Sequence, residues 1–304
     1  MRATCAGGRV ARPSCPAARA CATTRAHPRW SCRGRSALTA LAFALLSACE
    51  LPEAPADLDD AARRYWRGFQ GAEADELSFL AAAVDKQLRR LEADGDLPFS
   101  GEAPGGALSA ADLGVLGLGP FADPSTTRGV VVAAVLPCSF ERARDVLAAK
   151  NQLELYPELF RSYTRTYAGD PRAALTSTDG TASWTSVYTV DVPIYGSYTT
   201  TLFGDGRTVW GGGISGTPSD PVYLSRGYTK HPSTGGFRHS QQYNVEVVVP
   251  RGAREVYHLF AVWLDMQGIG DSVTFSEVLR RFRRIERRTS ELCTSAATVP
   301  VTTP

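Results

Sequence analysis

The sequence predicts an α+β domain: an antiparallel sheet followed by a long C-terminal helix, with a helical segment in front. Three observations predict it. Six strand-like stretches lie between residues 161 and 266, most of them alternating apolar and polar side chains as half-buried antiparallel strands do. A clean i, i+3, i+4, i+7 apolar stripe then runs from about Val273 to Leu292. Ahead of the strands, residues 58–93 repeat at helical spacing.

The chain opens on a segment of different character. Residues 1–49 contain eight Arg and no Asp or Glu, and the first acid is Glu50. A compact apolar run, Ala37–Ala48, closes it and is too short to cross a bilayer. A basic flank, a short apolar core and small residues before a cut describe a secretory signal peptide over residues 1–48. Leu46-Ser47-Ala48-Cys49 resembles the bacterial lipobox. That resemblance implies cleavage before Cys49, a diacylglyceryl thioether on its sulfur, and anchoring in the cell envelope, since two or three acyl chains suffice for stable attachment. Glu50 is not the Asp that retains many such proteins at the inner membrane, which favours the outer membrane. The alternative is an ordinary signal peptide with an incidental Cys. The basic flank is long; an organelle transit peptide is also acid-poor and Arg-rich. An upstream-placed start codon explains the length more simply, because only the region near Arg33 and Arg35 is needed.

Residues 49–57 read as a short Pro-rich tether carrying the lipid. Asp57 can cap a helix whose Leu58, Ala61, Ala62, Tyr65 and Phe69 fall on one face. A second helix spans Ala74–Ala93, with Leu77, Leu80, Val84, Leu88 and Leu91 in a stripe. Residues 95–127 form a Gly- and Pro-rich linker, broken by a short helix at Ser109–Val115. The main domain is placed at residues 128–293. Gly129–Leu136 is a continuous apolar run, as in a buried strand, and Ser139 caps the next helix through an incomplete capping box. The strand-like stretches follow: Arg161–Tyr167, Trp184–Val192, Ser197–Phe203, Val222–Tyr228, Ser240–Val249 and Glu255–Met266. Gly204-Asp205-Gly206 and Pro250-Arg251-Gly252 read as turns, and Gly211–Pro221 as a Gly-rich loop. On the last helix Arg280, Arg281, Arg283, Arg284, Arg287 and Arg288 occupy the faces away from the apolar stripe, which reads as a solvated surface. Residues 294–304 are a polar Thr/Pro tail expected to be disordered.

Removing the leader reverses the charge balance. The chain holds 33 basic and 31 acidic residues; without the eight leader Arg, 25 stand against 31, a net charge of −6. A nucleic-acid partner, which requires a clustered basic face, is not indicated. Of seven Cys, Cys5, Cys15, Cys21 and Cys32 lie in the leader and Cys49 is the lipid site. Cys138 and Cys293 remain, and in an oxidising compartment a disulfide is the natural reading; two buried free thiols are the alternative. No His or Cys neighbours them to complete a metal site, and no cofactor is indicated.

The order strand, helix, antiparallel strands, long C-terminal helix resembles the helix-grip fold of START-like and polyketide-cyclase-like domains over residues 128–293. Tyr156-Pro157-Glu158-Leu159-Phe160 is similar to the turn feeding that fold's second strand. The segment Leu155–Tyr167 and the Cys-ended helix also resemble uncharacterised myxobacterial lipoproteins. The helix-grip resemblance implies a curved sheet wrapped on the last helix around an apolar cavity, and binding, transfer or modification of a hydrophobic small molecule.

Catalytic candidates are few. The mature His are His231, His239 and His258, each in a setting typical of structural His. Motifs for zinc proteases, nucleophile elbows, P-loops and paired thiols are missing. The aromatics are more informative: Tyr188, Tyr195, Tyr198, Trp210, Tyr228, Tyr243 and Trp263 lie on or beside strands. Tyr joins an apolar body to a polar handle, which suits an amphipathic pocket. Of these, Tyr188, Tyr198, Trp210, Tyr228, Tyr243 and Trp263 are the candidate ligand-binding set; ordinary sheet core is the alternative. Three functions follow in order: a lipid-anchored binding module, an interaction lipoprotein with a filled core presenting an apolar patch from residues 58–93, and a cyclase-like enzyme with close-set buried His and carboxylate groups.

Overall fold

A computed structural model describes residues 53–94, 103–117, 123–192, 196–236, 238–266 and 271–295, all within one compact unit. The signal segment, Cys49, Tyr195 and the tail from residue 296 lie outside the described residues.

Helix α1 (Leu58–Gly68) starts where Asp57 accepts from the Asp60 N–H at 2.9 Å. Helix α2 spans Ala74–Ala93. A short strand, β1 (Ala103–Gly105), lies in the segment read as linker, and α3 (Ala110–Gly114) follows behind a full Ser109/Asp112 capping box. Strand β2 (Arg128–Leu136) leads into α4 (Phe140–Ala148), capped by Ser139, and a turn of helix, α5 (Gln152–Leu155). Then come β3 (Ser162–Tyr167), α6 (Pro171–Thr176), β4 (Thr181–Val192), β5 (Gly196–Trp210), β6 (Pro221–Thr229), β7 (Thr234–Gly235), β8 (His239–Gly252), β9 (Glu255–Met266) and α7 (Asp271–Thr294).

The sheet is antiparallel, in the order β1-β2-β9-β8-β6-β5-β4-β3, with β7 paired to β5. It curves over α7, which is the helix-grip arrangement. Both faces of its centre are covered. Along β8 and β9, Tyr243, Val245, Val247, Val249, Tyr257, Leu259, Ala261 and Trp263 share one core with α1 and α2. Trp66 stands edge-on to Tyr243 and Trp263 there, with ring centroids 5.9 and 6.2 Å away. The opposite parity faces α7: Val130, Val132, Phe260, Val262 and Leu264 pack on Phe275, Val278, Leu279, Phe282 and Ile285.

Two expected turns lie elsewhere. Gly204-Asp205-Gly206 sits inside β5, because the Trp184 ring of β4 lies flat on that strand. A Cβ on Gly204 would collide with the Trp184 ring, so the glycines mark a close approach and not a reversal. The β8–β9 turn falls at Ala253-Arg254, beyond Pro250-Arg251-Gly252, since Arg251 is held by Asp85 and Glu92 of α2 at 2.6–2.7 Å.

Cys138, just ahead of α4, is disulfide-bonded to Cys293 on the last turn of α7, with Cα atoms 5.0 Å apart and a sequence separation of 155. Arg142 of α4 donates to the Leu292 carbonyl at 2.8 and 3.1 Å beside the bridge. The C-terminal end of the gripped helix is thereby fixed to the rest of the domain. No helix among the described residues is long and apolar enough to cross a membrane.

Candidate functional site

The concave face of the sheet and α7 do not meet along their whole length. Between them lies a cavity of about 200 Å³. Its apolar wall is built by Val190 and Leu202 from the sheet, Phe260, Val262 and Leu264 from β9, Val278, Phe282 and Ile285 from α7, and Leu159 and Phe160 from the segment before β3. Phe160 packs on a pair of rings: it tilts against Tyr163 at 4.8 Å and stands edge-on to Tyr188 at 5.6 Å. Tyr163 and Tyr188 stack at 5.9 Å, and the Tyr188 hydroxyl donates to Gln242 Oε1 at 3.1 Å.

The other end is polar. Arg165, central in β3, enters the cavity between rings: its guanidinium carbon lies 5.1 Å from the Trp184 ring centre and 5.6 Å from that of Tyr163. Nε donates to the Tyr163 hydroxyl at 2.9 Å, and Nη1 donates to the Leu147 carbonyl at 2.9 Å and that of Ala149 at 3.3 Å. Burial works against its charge, but Tyr163 and Tyr167 beside it outweigh that and hold its pKa above the usual arginine value. Glu246 of β8 faces the same space. Burial pushes its carboxyl above the ordinary glutamate range, and His258, Arg165 and a hydrogen bond with Ser225 pull back only in part. Asn244 adds a buried carboxamide oxygen without a hydrogen-bond partner among the described residues.

Behind the cavity floor, His258 of β9 and Glu286 of α7 form a buried pair, Nδ1 to Oε1 at 2.8 Å, with side chains 1% exposed on either side. Burial lowers the imidazole pKa, yet the carboxylates of Glu286 and Glu246 together raise it above the ordinary histidine value. His258 Nε2 and Glu286 Oε2 have no hydrogen-bond partner among the described residues. The pair ties the helix to the sheet next to Tyr156, whose hydroxyl bonds Thr289 of α7 at 2.8 Å.

Of the six aromatic candidates, Tyr188 and Tyr198 line the cavity. Three others, Tyr228, Tyr243 and Trp263, lie across the sheet from it: Tyr243 and Trp263 pack on α1, and Tyr228 packs at the margin of that same core. Trp210 shares the strand parity of Tyr198 and Leu202 but stands at the far end of β5, where it borders a separate surface groove by Ala72 and Glu73. For the first three the reason is parity. Successive strand residues point to opposite faces, and Tyr243, Val245 and Val247 share the face that the N-terminal helices cover. The cavity takes Gln242, Asn244 and Glu246, whose alternation with apolar residues reads as a solvent face unless the sheet is known to be covered twice. Arg165 had a local signal: it sits in register between Tyr163 and Tyr167 on one strand. His258 alternates in register with Phe260 along β9; its partner Glu286 is 28 residues away on another element, and nothing local points to it.

Fold and site together define a helix-grip domain with an internal, mostly apolar cavity closed by a buried guanidinium and carboxyl. No protein-family model matches the sequence, and no curated protein matches it. Among solved structures, the chain is similar to a STAR-related lipid transfer protein fragment from Xanthomonas axonopodis, with 13% identity over 55% of this chain and 86% of that one, at a TM-score of 0.42. It is similar to the Zhui aromatase/cyclase from Streptomyces sp. R1128, with 12% identity over 54% and 92%, at 0.36. Human STARD10 gives 10% identity and 0.38, and there the match covers 55% of this chain and 63% of that one. At these values the architecture rests on the strand order and the placement of α7 described above.

Proposed function

We propose that the chain is an envelope lipoprotein, anchored through Cys49, whose helix-grip cavity binds a small amphipathic molecule. The observation that carries the binding reading is the cavity itself, apolar over most of its wall and polar at the Arg165–Glu246 end. Its size narrows the ligand. An apolar cavity of about 150 Å³ accepts benzene, and pockets for drug-sized molecules begin near 300 Å³. A volume of about 200 Å³ therefore suits one ring with short substituents, or a short chain, with its polar atoms toward Arg165. The anchoring reading is supported by the apolar run ending at Leu46-Ser47-Ala48-Cys49. Attachment would be outer-membrane by the Glu50 argument.

The filled-core interaction reading loses its expected signature. Residues 58–93 spend their apolar face on the sheet, and the only large hydrophobic residue exposed among those described is Val187 on β4. A cyclase-like enzyme is favoured by one specific feature, a buried carboxyl of raised pKa facing the cavity beside an arginine.

The test is native mass spectrometry of residues 50–304 purified from a bacterial periplasm, with denaturing extraction of any adduct. A bound small hydrophobic or amphipathic molecule is expected. A clean apo mass with no uptake of apolar fluorescent probes overturns the binding reading. Labelling of the full chain with a radioactive fatty acid, abolished by Cys49→Ala, tests the anchor. If Glu246→Gln binds the extracted ligand as the parent does but no longer converts it, the domain is an enzyme.

A further inference from the structure

We infer that the outer face of α7 is a docking surface for an anionic phospholipid bilayer, set beside the entrance to the cavity. With about 100° of rotation per residue, Arg280, Arg283, Arg284 and Arg287 fall within one quarter to one third of the helix circumference, opposite the stripe of Val278, Phe282, Ile285 and Thr289. Arg283, Arg284 and Arg287 are exposed. Arg280 and Arg281 pair with Glu277 at 2.6 and 3.0 Å, which fixes their stems and leaves one carboxylate between two guanidinium groups. Arg284 and Arg287 have no ion-pair partner among the described residues.

The charge is segregated. From residue 50 onward the chain has 25 basic and 31 acidic residues. Taking out the six arginines and three glutamates of residues 277–291 leaves 19 basic against 28 acidic elsewhere. Of those three acids, Glu286 is turned inward and bonded to His258, while Glu277 pairs with Arg280 and Arg281 and Glu291 with Arg288 at 2.8 Å. Six arginines against two outward carboxylates leave this helix face net positive on a net-negative domain, the polarity that orients a protein on an anionic surface.

Position selects the partner. A groove of about 470 Å³ runs along this face between Arg161, Arg280, Arg281 and Arg284, with Glu158 and Asp191 also on its border. Leu159, Phe160 and Arg281 line both this groove and the ligand cavity. The arginines therefore stand where an apolar ligand would pass between cavity and exterior, and such a ligand partitions into bilayers. Arginine forks match phosphate oxygens bidentately. The choice of a bilayer over an acidic protein rests on the proposed apolar ligand and lipid anchor; the positive face itself does not.

The experiment uses residues 50–304 with Cys49 absent, so that no lipid anchor contributes, and measures co-sedimentation with vesicles of phosphatidylcholine alone or with phosphatidylglycerol. Binding to the anionic vesicles only is expected, lost between about 0.1 M and about 1 M salt as the screening length falls from about 10 Å to about 3 Å. The triple variant Arg283→Gln, Arg284→Gln, Arg287→Gln should bind more weakly by roughly fivefold per arginine, on the order of a hundredfold in all. The charge-matched control Arg90→Gln, Arg172→Gln, Arg254→Gln, at exposed sites on other elements, should lose far less. Matching thermal melts establish that both variants are folded, and Arg284→Glu alone serves as a second test. Equal binding to neutral vesicles, no binding to either, or equal losses in the triple variant and its control each overturn the inference. Docking is read without ligand, so its failure is distinguishable from a failure of ligand binding in the mass-spectrometric experiment.

Discussion

His239 should make the domain acid-labile. It opens β8 and is 2% exposed, edge-on to the Tyr198 ring at 5.0 Å. Neither ring nitrogen has a hydrogen-bond partner among the described residues. Burial disfavours the imidazolium and lowers the pKa from 6.5 to about 4, with Asp265 pulling it back only in part. The folded pKa is depressed below the unfolded one, so the unfolded chain binds more protons between the two values. Stability from this residue is then fully present above pH 6.5 and is lost as pH falls toward 4. Integrating that proton difference gives a loss of about 2 kcal/mol at pH 5 and about 3 kcal/mol at pH 4 relative to neutral pH. His239→Phe keeps the ring and removes the proton site. Urea unfolding of parent and variant at pH 7.5, 5 and 4 isolates this contribution, because the other titrating groups are the same in both. The parent should lose about 2–3 kcal/mol more than the variant by pH 4. Parallel losses in the two proteins would refute the reasoning. His258 has the opposite sign: its raised pKa stabilises the fold below pH 6.5 and that contribution fades as pH rises through its folded pKa.

Leu202→Trp puts a bicyclic ring into a cavity of about 200 Å³; ligand uptake in native mass spectra should fall at least about tenfold, with a thermal midpoint within a few degrees of the parent. Trp66→Ala removes a fully buried ring and its Nε1 donor to the Asp112 carbonyl at 2.7 Å, and should cost about 3–5 kcal/mol in urea unfolding. The purified variant, if folded, should still take up ligand, because Trp66 lies on the other side of the sheet. Closing a loop of 155 residues is worth about 5 kcal/mol in the chain-entropy account, so Cys138→Ser should lower urea stability by several kcal/mol; a loss below about 1 kcal/mol would show that the bridge is not formed in solution.

The element order was legible because it rests on short-range periodicity. Ser139 and Asp57 announce helix starts, the stripe Phe275–Leu292 announces α7, and the alternation in Tyr243–Val249 announces β8. Legibility ended where a signal depended on distant residues. Gly204-Asp205-Gly206 carries turn chemistry locally, and only the Trp184 ring on the neighbouring strand explains why those glycines lie mid-strand. Strand β1 has three residues, two of them Pro and Gly, and pairing with β2 alone makes it a strand.

The site was half legible for a related reason. A strand alternating Tyr243-Asn244-Val245-Glu246-Val247 states that its two faces differ, but not what covers either. Reading the aromatic parity as the pocket assumes that the polar parity meets solvent. Here both parities are buried: α1 and α2 use the apolar side completely, and α7 covers the polar side incompletely. A carboxamide or carboxyl on that second side would be costly against a tightly packed helix. It becomes tolerable where the helix stands off and leaves space for a ligand, and this is where Gln242, Asn244 and Glu246 occur. In a doubly covered sheet the polar parity thus marks the cavity. The edge strand β3 differs, being covered on one side only: Thr164 and Thr166 are exposed, and Arg165 lies on the inward side between Tyr163 and Tyr167, its guanidinium held by two carbonyls, tyrosine hydroxyls and two aromatic rings.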